Sequence, residues 1–238
     1  MCRLANPVEA LESDYHRGAL DAVVSYCSMV LEASGYPENF PQKFKLAYVP
    51  ESRQAVVEYE LPTVPVIPAA KAYRYVKASD AIAETARPQA QIKALYAAVV
   101  AQLTIRTLHE LFDGDKGGHI DTLVFNGVVD TTGPGSGQRI HPCLVTVRTT
   151  REAFGELDLT HVEPLACLKH LNAGVSKRPA ELLPVRPVLE FSMVDPRFVA
   201  ESDALSGLDQ RPNVCRVRSH RWPGGARPPG RGGSRRGS

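Results

Sequence analysis

Nowhere in these 238 residues does an apolar run approach the roughly 20 residues needed to span a bilayer, so no membrane helix is expected. The opening Met1–Pro7 stretch turns polar at once and lacks an apolar core of signal-peptide length, which points to the cytoplasm. No C-x-x-C pair occurs. The five cysteines (Cys2, Cys27, Cys143, Cys167, Cys215) are odd in number and scattered, suggesting neither a zinc site nor a disulfide framework. Cys27, Cys143 and Cys167 lie in apolar stretches and are expected to be small buried hydrophobes. The glycine-rich run 133–137 is not followed by Gly-Lys-Ser/Thr, so it is no phosphate loop. Pro134 and Gln138 stand where a nucleophile elbow around Ser136 would need glycine. It is expected to be a loop between two strands.

Acidic residues and lysine are also missing from 216–238, a segment with seven arginines, six glycines and three prolines. Taking those seven from the 28 basic residues leaves 21 against 26 acidic ones in 1–215, a net of −5 under the overall +2. The body is mildly acidic and the tail strongly basic, so the overall charge carries no information about a nucleic-acid face on the body. The tail has too few apolar groups to offset the roughly 1–2 kcal/mol per residue of backbone ordering, and is expected to be disordered. Arginine without lysine among Gly, Pro and Ser is also what a GC-rich message yields in a shifted reading frame.

What is present is ordinary for a globular chain, with 43% hydrophobic and 23% charged residues. Asn6-Pro7-Val8-Glu9 is a helix start, and the apolar positions Leu11, Tyr15, Leu20, Val23, Cys27, Val30 and Leu31 continue it to Gly35. Alternation predicts strands over 44–48 and 54–61, and Pro62, Pro65 and Pro68 make an extended linker. A short strand is expected at 72–76, then a helix over 88–112 striped by Ile92, Leu95, Val99, Leu103 and Leu108. Strands at 120–129 and 142–148, a helix at 164–172 and an edge strand at 185–191 complete the reading. The interleaving implies an α/β fold: a mixed β-sheet with flanking helices. The expected division is an N-terminal helix (1–40), a mixed α/β domain (41–195), a connector (196–215) and the basic tail (216–238).

Asp113, Asp115 and Gly118 outline a calcium loop, but Gly117 and Val124 replace two key ligands, and a polar helix-to-strand turn is expected instead. His119 and Asp121, two apart on the expected strand, share a face and are the candidate metal ligands.

Five long segments carry a resemblance: Lys71–Lys77, Glu84–Tyr96, His119–Asp130, Pro142–Thr150 and Val188–Val199. Together they resemble the N-terminal region of Mrr-like restriction endonucleases (type IV restriction, PD-(D/E)xK superfamily) over roughly residues 43 to 213. The resemblance stops near Arg211-Pro212-Asn213. Beyond that point the family would continue into a nuclease domain holding Mg²⁺ with acidic residues beside a lysine, and this chain is expected to be truncated before it. It implies a non-catalytic targeting or assembly part, with DNA as partner, a possible homo-oligomer, no membrane association and no cofactor of its own. One echo of the missing domain stands inside the chain, where Gly117-Gly118-His119-Ile120-Asp121 is followed a hairpin later by Thr146-Val147-Arg148. Thr146 replaces the glutamine and Arg148 the lysine. Threonine is a poor Mg²⁺ ligand, and an always-protonated arginine cannot act as a base. On this echo the domain is a degenerate restriction-endonuclease-like fold, with Asp121 and Arg148 as degenerate catalytic candidates. The rivals are a free-standing Mg²⁺-dependent nuclease using Asp121 and His119, and a structural interaction module.

Overall fold

The computed structural model describes residues 6–77, 80–133, 135–193 and 199–201. The tail 216–238 and nearly all of the connector lie outside them.

The N-terminal stripe forms two helices, α1 (Pro7–His16) and α2 (Leu20–Glu32), where one was expected. The break is at Gly18, whose φ of +70° suits the residue without a Cβ. Asn6 caps α1 through a bond from Val8 N, as its residue type predicts. Two strands follow, β1 (Phe44–Val49) and β2 (Gln54–Glu60), joined by a turn in which Arg53 is left-handed (φ 48°). A ribbon of β3 (Ala70–Val76) and β4 (Ala81–Ala86) precedes the long α3 (Gln89–Gly114). Then come β5 (Thr122–Val128), the two-residue strands β6 (Thr131–Thr132) and β7 (Arg139–Ile140), and β8 (Cys143–Thr150). The chain continues through α4 (Arg151–Gly155), α5 (Pro164–His170), β9 (Gly174–Val175) and β10 (Val199–Glu201).

The main sheet runs β10-β1-β2-β5-β8-β9. Among the described residues only β2 and β5 pair in parallel, and α3 supplies the crossover that parallel neighbours need. The fold is therefore mixed α/β, with helices packed on a mixed sheet as the residue pattern predicts. The expected central strands hold the middle, and Leu123, Phe125, Leu144 and Val145 have no exposed surface. Phe44, Leu46, Tyr48, Val57, Tyr59, Leu123, Phe125 and Val147 form one core with α1, α2, α3 and α5. Tyr15, Val23, Cys27 and Leu31 belong to that core, so α1 and α2 are built into the α/β body.

The opposite face is thinner. Ala47, Val56 and Val124 form a small second cluster, covered by Leu189 and Phe191. Those two belong to the segment expected as an edge strand over 185–191, which is a strap instead, lying outside the sheet ladder. Pro184 and Pro187 remove the donors a ladder would need. Its fastenings are polar: Asn126 Nδ2 donates to Leu189 O (2.7 Å), and Val188 N donates to Thr146 Oγ1 (3.0 Å). The edge strand beside β8 is β9, which sequence patterning does not reveal at two residues.

Buried ionisable groups give this fold an alkaline limit. Burial pushes the Cys27 thiol up to about 12 and Cys143 to about 11. Burial likewise takes Tyr96 to about 12 and raises Tyr15 and Tyr59 further. A raised folded-state pKa means the unfolded chain releases the proton first. The stabilisation is complete below the ordinary values of 9.0 and 10.0 and is lost as pH rises toward the folded values. Urea midpoints should hold steady to about pH 9 and fall steeply toward pH 12, with the tyrosinate absorbance of the buried Tyr15, Tyr59 and Tyr96 appearing together with unfolding. Tyrosinate signal from all eight tyrosines at their ordinary pKa, before unfolding, would contradict the burial.

Candidate functional site

Two of the residues singled out as ligands or catalysts, His119 and Asp121, lie between the end of α3 and the start of β5. Strand β5 begins at Thr122, so His119 and Asp121 precede it, and the shared-face geometry expected of a strand does not hold there. Asp121 is exposed and pairs with Arg53 (Nε to Oδ2, 3.0 Å). Arg53 also donates to Gly118 O, and Asp121 N donates to Arg53 O (2.9 Å), so the β1–β2 turn grips this segment. The His119 ring turns the other way, edge-on to Tyr15 with centroids 4.9 Å apart. Its Nε2 is buried without a hydrogen-bond partner among the described residues. A Cβ on residue 117 would come within 2.4 Å of that nitrogen, which explains the glycine there. Among the described residues no group of three or more His, Cys, Asp and Glu side chains is arranged to hold a metal ion.

Arg148 stands elsewhere. Its register partner on β5 is Val124, and it borders a groove of about 410 Å³ with Thr122, Thr150, Glu156, His170 and Asn172. Asp121 does not line that groove. Thr146 is buried, donating to Asn126 Oδ1 (2.7 Å) while holding the strap through Val188. The positions compared with a nuclease strand thus have structural partners: Arg53 for Asp121, and Asn126 with Val188 for Thr146.

The residue with the most demanding surroundings is Asp115, whose side chain has no exposed area. Its Oδ1 accepts from the Tyr15 hydroxyl (2.7 Å), and its Oδ2 accepts from Ile120 N (2.7 Å) and Arg151 Nη2 (2.5 Å). Arg151 spends its other donors on Ile120 O (3.0 Å) and Phe112 O (2.8 Å) and lies over the Phe112 ring. The Tyr15 hydroxyl in turn accepts from Gly117 N (3.0 Å). This network locks α1, the α3 terminus, the entry to β5 and the exit of β8 together. Asp115 is thus the anchor of the turn, consistent with the expected helix-to-strand turn.

The other unusual feature is the β3–β4 ribbon. None of its described residues is buried, and Tyr73, Tyr75 and Ile82 are 66%, 57% and 68% exposed. At its base Arg87 donates to Pro68 O (3.0 Å) and Ala70 O (3.2 Å). Sequence alternation predicts a strand within β3, whereas Ala81–Ala86 has too little apolar alternation to read as one.

No family model, no curated protein and no solved structure matches this chain.

Proposed function

We propose that this chain is the non-catalytic N-terminal part of a Mrr-like restriction endonuclease, serving DNA targeting or assembly rather than hydrolysis. The five segments of resemblance supply the restriction context. The observation that carries the non-catalytic reading is the occupation of the would-be catalytic positions: Asp121 is spent on Arg53, and Thr146 is sealed inside a polar ladder. Arg148, always protonated, lines a groove that excludes Asp121. On this reading Mg²⁺ chemistry belongs to the family's nuclease domain, and the α/β body presents DNA to it or assembles copies around it.

The test is duplex binding by the full chain with its seven tail arginines replaced by glutamine, which removes the non-specific contribution of residues 216–238. Fluorescence anisotropy with a labelled duplex should show binding that weakens as salt rises, since each phosphate contact adds about −0.9 to the slope of log K against log salt. Absence of binding at low salt would favour an interaction module with no nucleic-acid role.

A further inference from the structure

We infer that the β3–β4 ribbon is a DNA-contacting arm that enters the major groove of a duplex, an inference that rests on the proposed DNA role. Three observations carry it. The first is shape: the arm is an isolated two-stranded antiparallel ribbon, separate from the main sheet and with no buried residue. A two-stranded ribbon is one of the few elements that fits a groove about 12 Å wide. Exposing so much backbone and aromatic surface contributes nothing to the core.

The second observation is charge. Residues 70–87 hold Lys71, Arg74, Lys77 and Arg87 against Asp80 and Glu84, a net of +2. Taking these four cations and two acids from the 21 and 26 of 1–215 leaves 17 and 24, a net of −7. A polyanion is therefore repelled by the rest of the body and attracted to the arm. Lys71, Arg74 and Lys77 have no ion-pair or hydrogen-bond partner among the described residues, so their charge is available. Of the acids, Asp80 accepts from the Tyr75 hydroxyl at the turn (2.5 Å), whereas Glu84 lies on the Tyr73 side.

The third is the division of the two faces. The register pairs Ala72 with Thr85, Arg74 with Ala83 and Val76 with Ala81, so one face is small side chains around a single arginine. Tyr73 opposite Glu84 and Tyr75 opposite Ile82 make the other. The thin face lets the backbone approach base edges with Arg74 at its centre, where arginine pairs with guanine acceptors. Lys71 at the bulged start of β3 and Lys77 just past its end stand three residues either side of Arg74, about 10 Å each way, where long side chains can reach backbone phosphates.

The experiment compares the tail-neutralised full chain with the same protein carrying Lys71→Ala, Arg74→Ala and Lys77→Ala. Duplex affinity is read by anisotropy across a salt series, and mass by sedimentation. The arm variant should melt as the parent does, because none of the three side chains is buried. Its affinity should fall about 100-fold, with the salt slope shallower by about 2 to 3. A variant that binds like its parent would overturn the arm assignment while leaving the DNA reading intact. A parent that binds no duplex would overturn both. A loss of self-association in the variant, with DNA binding unchanged, would assign the ribbon to a second copy of the chain and overturn the inference.

Discussion

Asp115→Ala is expected to lower the free energy of unfolding by about 3–4 kcal/mol, within the roughly 3–5 kcal/mol range for breaking a buried charged pair. The lower part of that range applies because Arg151 keeps 34% of its side chain exposed and retains two carbonyl partners. The loss is large because the substitution orphans three donors together: the Tyr15 hydroxyl, Ile120 N and Arg151 Nη2. For a chain of this size the melting midpoint should drop by roughly 10 °C. The exposed Arg53–Asp121 pair is the control: Arg53→Ala should cost about 1 kcal/mol or less, since surface pairs are screened. In a cycle with Arg151→Ala the double variant should lose less than the sum of the two singles. An Asp115→Ala protein melting within about 2 °C of the parent would show that the network holds nothing together.

The second large effect is expected at Phe125. It has no exposed surface and stacks against Tyr59 with ring centroids 6.3 Å apart, in the middle of the helix-covered face. Phe125→Ala should cost about 3–5 kcal/mol, from lost transfer energy and from a cavity that α3 and the neighbouring strands cannot close. Its neighbour Val124 points to the opposite face, into the small cluster under Leu189 and Phe191. Val124→Ala should cost about 1–2 kcal/mol, a difference that denaturant midpoints at unchanged slope would resolve. Equal losses at the two positions would contradict the description of one deep core and one thin face.

These two residues mark how far the sequence was legible. Phe125 sits in an apolar strand bounded by turn residues, so periodicity alone assigns it to the core, as it does the stripe of α3 and the alternation of β1 and β2. Asp115 reads only as part of a polar turn, because its partner Arg151 lies 36 residues away and no local spacing links them. The same limit hid the Asn126–Thr146 ladder, which depends on strand register. The apolar stripe runs through Gly18 and so reads as one helix, whereas the positive φ there makes two. The strap over 185–191 has strand composition yet lacks a donor at Pro187, with Pro184 just ahead of it. Of the candidate site, the sequence singles out His119 and Asp121 as metal-ligand candidates and Asp121 and Arg148 as degenerate catalytic ones. It could not show that Asp121 and His119 face different partners, or that Arg148 borders another groove. The arm was half legible, through Tyr73 and Tyr75, because a ribbon that buries nothing leaves no hydrophobic pattern on its second strand.

The central claim is that this chain handles DNA without cutting it, and supercoiled plasmid tests that most directly. The full chain is incubated with plasmid and Mg²⁺, the protein is removed, and the topology of the DNA is read on a gel. The account predicts plasmid that remains fully supercoiled at every protein concentration that retards it before deproteinisation. Mg²⁺-dependent nicking that disappears in Asp121→Ala would contradict it and identify the segment ahead of β5 as a working nuclease site.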